Sequence, residues 1–158
     1  MEIRAVGRLV LFLCIFALPA FASAVRADDD AERAELTART AEIIRLLNDR
    51  NMDAVLQYAD PGIEIDVAGH KGPVKKRETF RWTDLTKFGG ELAKHEEFHI
   101  DVQSGPQVTS FNADGGTAAV TGGGRIRWQN RNPRGTITAR WRRTGDSWKL
   151  VYVRIQQH

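Results

Sequence analysis

Cysteine is nearly absent from this sequence, and its single copy stands where it can form no lasting cross-link. Cys14 lies inside the apolar run Leu9–Phe21, with apolar residues on both sides. A lipid-accepting cysteine belongs at a cleavage boundary, so we do not interpret Cys14 as a lipid anchor. Once this run is removed the chain has no disulfide, and its stability must come from its hydrophobic core.

The sequence also lacks an apolar run long enough to span a bilayer. Leu9–Phe21 is shorter than the roughly 20 residues that a membrane-spanning helix needs. Two arginines precede this run, and the small-x-small sequence Ala22–Ala24 follows it. This pattern is typical of a secretory signal peptide. We predict a signal peptide over 1–27, cleaved near 24–27, and a single domain over 28–158 in the periplasm or medium, with no transmembrane span after cleavage.

A strong excess of one charge is missing as well. The 23 Lys and Arg residues face 20 Asp and Glu residues, which gives a net charge of +3. Such a balance does not favour binding to polyanions, so we expect no nucleic-acid partner.

The last two predicted strands form a hairpin. A turn at Thr144–Ser147 joins them, because Gly145 can adopt positive φ without steric cost. Pairing outward from the turn opposes Arg143 with Trp148, Trp141 with Leu150, Ala139 with Tyr152, and Ile137 with Arg154. The same register extended backwards opposes Ile137 with Trp128 and Ala139 with Ile126.

Directly opposed residues share a face, so this register predicts one apolar and one basic face of the sheet. The predicted apolar face carries Ile126, Trp128, Ile137, Ala139, Trp141, Trp148, Leu150 and Tyr152, and Arg154 falls in phase with them. The predicted basic face carries Arg125, Arg127, Arg140, Arg142 and Lys149, with Val151 and Val153 as an apolar strip.

The remaining chain supplies a layer that covers the apolar face. Apolar residues at three- and four-residue spacing predict a helix to about Asn48. The further predicted elements are a helix over 52–58, a strand over 63–67, a helix over 75–93 and a strand over 98–111, with a bulge or bend at Gly122–Gly124. The fold class is therefore α+β: a cone-shaped roll with three N-terminal helices packed on a curved, mostly antiparallel sheet, a four-stranded meander plus a short strand.

The order of elements, the segment Met52–Asp66 and the ending Trp148–Tyr152 resemble the nuclear transport factor 2-like superfamily, whose nearest branch is the SnoaL-like, cystatin-like roll. The resemblance covers the whole of 28–158. It implies a conical cavity between helices and sheet, a homodimer, and functions that range from isomerisation to ligand binding. A fold of this kind does not determine function.

The segment His95–His99 matches the zinc-protease pattern H-E-x-x-H. That chemistry needs a helix, where residues four apart lie one above the other. Here the alternation of Phe98, Ile100 and Val102 predicts a strand, in which residues four apart are separated by about 13 Å. We therefore expect no metal site and no cofactor.

Asp66 is the one candidate catalytic residue. The segment Tyr58–Gly69 is similar to the part of ketosteroid isomerase that carries its proton-shuttling carboxylate. The chain departs from that family at two points: Glu42 stands at the position of the tyrosine of the oxyanion hole, and the strand Thr136–Arg143 contains no acid. An isomerase, cyclase or hydratase with Asp66 as general base stays one hypothesis, and a structural aspartate is its alternative.

The leading hypothesis is a binding domain whose cavity holds a small hydrophobic or anionic organic ligand. The predicted pocket residues are Asp66, Trp128, Tyr152, Arg154, His70 and Trp82. Their alternative role is structural, with the tryptophans in the core and with Tyr152 and Arg154 reaching solvent at the edge of the sheet. A third hypothesis is an interaction module whose basic face meets anionic lipids, an acidic partner or a second copy of the chain.

Overall fold

The computed structural model describes residues 6–71, 76–128 and 131–158, and the side chains within 27–68, 81–128 and 131–158. The helices are α1 (Val6–Asn48), α2 (Met52–Tyr58) and α3 (Leu85–Ala93). The strands are β1 (Ala59–Lys71), β2 (Lys76–Trp82), β3 (His99–Asn112), β4 (Thr117–Arg127), β5 (Arg134–Thr144) and β6 (Ser147–Gln157). The part up to Ala34 and the part from Glu35 to His158 form separate compact units.

In the first unit the described residues, from Val6 on, belong to the start of α1. No helix within the described ranges is long and apolar enough to cross a bilayer. The signal peptide over 1–27 and its cleavage near 24–27 stay predictions.

The second unit is an α+β roll built on one six-stranded sheet in the order β2-β1-β6-β5-β4-β3. Neighbouring strands are antiparallel except β1 and β6, which run parallel. The fold class is confirmed, but the strand count is not, because six strands replace the predicted meander of four plus a short strand.

The additional strand is β2. The prediction of one helix over 75–93 is wrong, because the first part of this range is a strand and only Leu85–Ala93 is helical. β1 continues to Lys71, and residues 76–82 pair with it antiparallel. The helix begins only after Asp84, whose side chain accepts hydrogen bonds from the backbone of Thr86 at 2.8 Å and Lys87 at 3.3 Å. This N-cap satisfies donors at the start of α3, and it is the local signal that fixes where the helix starts.

The hydrophobic core lies between the helices and one face of the sheet. Its largest fully buried side chains include Trp141, Phe88, Phe98, Leu36, Ile43, Leu47, Leu92 and Ile126. The indole nitrogen of Trp141 donates to Thr40 Oγ1 on α1 at 3.1 Å. Asn48 joins the end of α1 to β3, because its amide accepts from the nitrogen and donates to the oxygen of Ile100. Large buried side chains therefore lie in the region between helices and sheet where the resemblance predicts a cavity.

A bulge between β5 and β6 overturns part of the predicted register. Trp141 pairs with Leu150 as predicted, but Arg140 pairs with Tyr152, so Val151 is the extra residue. Beyond it Ala139 pairs with Val153 and Ile137 with Ile155, and both partners are buried. Tyr152 and Arg154 consequently leave the apolar face, and Val153 joins it.

The register predicted between β4 and β5 is also wrong, since Ile137 pairs with Gly122 and Ala139 with Val120. Trp128 and Ile126 are nevertheless buried with the apolar set, as predicted.

A bulge or bend is predicted in β4 at Gly122–Gly124, but the irregularity lies in the pairing with the neighbouring strand β3. β4 pairs with β5 without a register shift through the glycines, whereas β3 shifts register beside them. The backbone of β3 comes so close that a Cβ on Gly124 would collide with the carbonyl oxygen of Asp101. The glycines thus permit an irregular edge strand to approach.

Candidate functional site

The outer face of the sheet, the face opposite the core, carries a buried aspartate inside a basic cluster. In the strand register Asp66 of β1 is aligned with Arg81 of β2 and with Arg154 of β6. Tyr152 is aligned with Glu64, two residues earlier on β1. Aligned residues of neighbouring strands share a face, so Asp66, Arg81, Tyr152 and Arg154 lie on one surface.

Asp66 is held by direct contacts to two of these neighbours. Its Oδ1 accepts from Arg81 Nε at 2.9 Å, and its Oδ2 accepts from Arg81 Nη2 at 3.3 Å and from the Tyr152 hydroxyl at 2.9 Å. Only 7% of the Asp66 side chain is exposed, against 62% of the Arg81 side chain. The aspartate is therefore a nearly buried, hydrogen-bonded anion.

These contacts set the protonation of the pair. The hydrogen bond from Arg81 lowers the pKa of Asp66, and the hydrogen bond from Tyr152 adds to this effect against the opposing influence of burial. Burial, followed by the hydrogen bond to Asp66, raises the pKa of Tyr152. An aspartate with a lowered pKa is ionised but weakly basic, which does not favour a role as general base.

The predicted pocket is not assembled as one cavity. Trp128 is 4% exposed and lies in the core, with its ring centroid 4.8 Å from that of His95 and 5.3 Å from that of Phe98. Trp82 packs on Phe88 at 5.1 Å. Asp66, Tyr152 and Arg154 lie together on the outer face, and the side chain of His70 lies outside the described residues. The prediction that Tyr152 and Arg154 point inward with Trp128 is wrong, because the bulge shifts the register.

The segment His95–His99 does not lie on one helix, and the strand predicted across it begins only at His99. His95 to Phe98 form the turn after α3, closed by the Phe98 nitrogen donating to the His95 oxygen at 3.0 Å, and His99 opens β3. The His95 ring contacts Glu97 at 3.1 Å and Glu91 at 3.6 Å. Among the described residues no group of three or more metal-binding side chains comes together.

The basic residues of the predicted basic face lie on the outer face of the sheet. Arg125, Arg127, Arg140 and Arg142 are exposed, and Lys149 is partly buried. Arg142 pairs with Asp60 at 3.1 Å, and Lys149 donates to the Gln57 oxygen at 3.1 Å.

Arg125, Arg127, Arg140 and Arg154 of the outer face have no acidic partner within hydrogen-bonding distance among the described residues, and the last two lie next to Tyr152. The guanidinium of Arg140 lies 4.9 Å from the centre of the Tyr152 ring, a cation–π contact. Arg154 is exposed on the other side of Tyr152 along β6. Their positive charges are therefore available to an anion.

A groove of about 360 Å³ lies on the same face beside the bulge. It is lined by Ser110, Thr117, Ala118, Ala119, Arg140, Trp141, Arg142 and Val151. The groove combines small apolar side chains, hydroxyl groups and two guanidinium groups.

Sequence reasoning missed two parts of this site. Arg81 was hidden by the helix predicted over 75–93. The bulge had a visible signal, since the apolar phase of Trp148 and Leu150 changes by one residue to Val153 and Ile155. Such a phase change marks one extra residue in a strand.

Comparison with known proteins identifies the architecture. No protein-family model and no curated protein matches the sequence. A cystatin-like NTF2-like protein from Novosphingobium aromaticivorans superposes with a TM-score of 0.56 at 15% identity, covering 89% of each chain. The beta subunit of a putative aromatic-ring-hydroxylating dioxygenase from the same organism gives 0.59 at 11% identity, covering 81% of this chain and 90% of that one. The association domain of C. elegans CaMKII gives 0.56 at 10% identity, covering 82% and 98%. At these identities the likeness concerns the fold alone: the chain has the nuclear transport factor 2-like fold.

Proposed function

We propose that this chain is an exported binding domain that recognises a small organic anion on the outer face of its sheet. The observation that carries the proposal is the bulge at Val151, which brings Tyr152 and Arg154 onto the face that holds Arg140. The signal peptide predicted over 1–27 supports export.

The distribution of charge favours an anion. Arg81 forms the ion pair with Asp66, whereas Arg140 and Arg154 flank Tyr152 and form no ion pair in the described chain. The charge of Arg154 nevertheless contributes to the lowered pKa of Asp66. A guanidinium group presents a planar set of donors that matches a carboxylate. A ligand with an anionic group would therefore complete the pairing of this face.

The outer face offers a groove for a small ligand. Trp141, Phe88 and Phe98, by contrast, are fully buried between helices and sheet. The groove of about 360 Å³ on the outer face shares Arg140 with the site around Tyr152, and its volume lies near the lower end of the 300–1,000 Å³ usual for small-molecule sites.

The homodimer implied by the resemblance stays a prediction. An isologous contact sets the same patch of two copies against each other. Across the outer face it would set two basic patches against each other, each with its exposed Arg140 and Arg154. Because like charges disfavour that arrangement, we propose that the outer face stays accessible to ligand in a dimer.

A titration followed by backbone amide NMR shifts tests the function. The probes are benzoate, hexanoate and phenyl phosphate, with benzamide and hexanamide as neutral counterparts. We expect shifts in β5 and β6 with the anions, weaker at higher salt. Changing Arg140 and Arg154 together to Gln should weaken binding about tenfold or more.

The matched control changes Arg125 and Arg127 to Gln, which removes the same charge from a distant part of the outer face. Equal weakening by both double variants would show general charge attraction and contradict the proposal. Shifts centred on Phe98 and Trp128 would place the ligand in the interior and contradict it as well.

A further inference from the structure

The groove beside the bulge has the composition of a site for one class of anion. Ala119 and Val151 supply apolar surface, and Arg140 and Arg142 supply positive charge. Ser110 and Thr117 add exposed hydroxyl groups. We infer that this groove binds a carboxylate on a compact apolar body, and that Asp60 competes with that ligand for Arg142.

The groove exists because of the bulge. Pairing passes from Trp141–Leu150 to Arg140–Tyr152, so Val151 has no partner in β5. An unpaired residue opens the ladder locally, and Val151 lines the resulting depression. Ala119 lies beside Arg140 across the β4–β5 pairing, and its small side chain keeps the depression open.

Arg140 and Arg142 make different contacts. Arg140 stacks on Tyr152, which holds its guanidinium group while leaving its donors free for a ligand. Arg142 is 57% exposed and donates to Asp60 Oδ2 at 3.1 Å. A carboxylate in the groove offers Arg142 the same acceptor geometry that Asp60 offers.

Asp60 therefore acts as an internal competitor. Its Oδ1 accepts from the Gly62 nitrogen at 2.9 Å, which fixes the carboxylate independently of Arg142. The hydrogen bond from Gly62, and then that from Arg142, lower the pKa of Asp60, so the competitor stays ionised at neutral pH. An exposed ion pair of this kind is weak, so a ligand can displace it.

The inference rests on the proposed function, and benzoate titration of four variants tests both. Ala119→Leu fills the groove and should weaken benzoate binding about tenfold or more, whereas Ala113→Leu makes the same change in the β3–β4 turn and should leave it unchanged. Asp60→Asn removes the competing charge but keeps the acceptor for Gly62. It should tighten binding about two- to fivefold.

Asp101→Asn is the control for charge, because Asp101 is an exposed acid opposite Arg125 on the same face. It should leave benzoate affinity unchanged. Equal tightening by Asp60→Asn and Asp101→Asn would overturn the competition. Unchanged binding in Ala119→Leu would overturn the groove while leaving the proposed function intact. If no anionic probe binds the wild-type protein, both proposals fail.

Discussion

Removing the negative charge of Asp66 should destabilise the folded protein, because its carboxylate is hydrogen-bonded and nearly buried. Asp66→Asn keeps the size and one acceptor of the side chain but removes its charge. Both oxygens of Asp66 accept from Arg81, so the variant nitrogen faces a donor of Arg81 in either orientation of the amide. A donor therefore meets a donor inside a site where only 7% of the side chain is exposed.

The size of the expected loss in unfolding free energy follows from how exposed each hydrogen-bonding partner of Asp66 is. A hydrogen bond to a charged group contributes about 1.5–3 kcal/mol when shielded, which applies to the partly buried Tyr152. Arg81 is 62% exposed, so its ion pair contributes at most about 1 kcal/mol. Because Asn keeps part of the bonding, we expect the free energy of unfolding to fall by about 1–2 kcal/mol at pH 7.

The stabilising contribution of Asp66 should decrease as the pH falls. The pKa of Asp66 is lowered in the folded protein, so its stabilising contribution is present above the unfolded value of about 3.9 and is lost as pH falls through the folded value. The difference between wild type and Asp66→Asn should be constant from about pH 5 to 7 and shrink below about pH 4. Urea unfolding followed by tryptophan fluorescence measures it, with Asp101→Asn as the exposed control.

A difference that grows as pH falls would refute this reasoning. So would a carbon-13 titration that places the pKa of the Asp66 carboxyl group above the ordinary value. A raised pKa would also restore Asp66 as a general base and with it the enzyme hypothesis. The same experiment therefore decides between a structural and a catalytic aspartate.

Three further predictions concern the backbone. Gly124→Ala should cost roughly 1–3 kcal/mol in urea unfolding, because its Cβ would collide with the Asp101 carbonyl oxygen. Gly90→Ala, in α3 with open space around it, should instead stabilise by roughly 0.5–1 kcal/mol, and a loss there would contradict the helix assignment. Asn48→Ala should cost roughly 1–3 kcal/mol, because both backbone groups of Ile100 lose their partner. Unchanged amide hydrogen exchange at Ile100 would contradict that account.

The sequence predicts the structure best where the residue types allow only one local conformation. Gly145 has a φ of 61°, and the pairing next to it is as predicted. Prediction fails where two alternations of buried and exposed positions fit the same residues. Leu150, Val151 and Tyr152 are all compatible with a buried face, so the sequence does not show at which of them the bulge occurs. Arg81 was missed for a related reason, since a segment rich in charged and aromatic residues fits a helix or an edge strand until β1 supplies its partner.

The bulge is more than a correction to the register. A strand without Val151 would pair Leu150 with Trp141 and Tyr152 with Arg140 in direct succession, and it would sort the same side chains to the same faces. The sorting of the core therefore does not require the extra residue. What Val151 adds is a break in the ladder and a groove beside Arg140. Because bulges are over-represented next to functional sites, the groove at Val151 favours the outer face as the surface on which the protein acts.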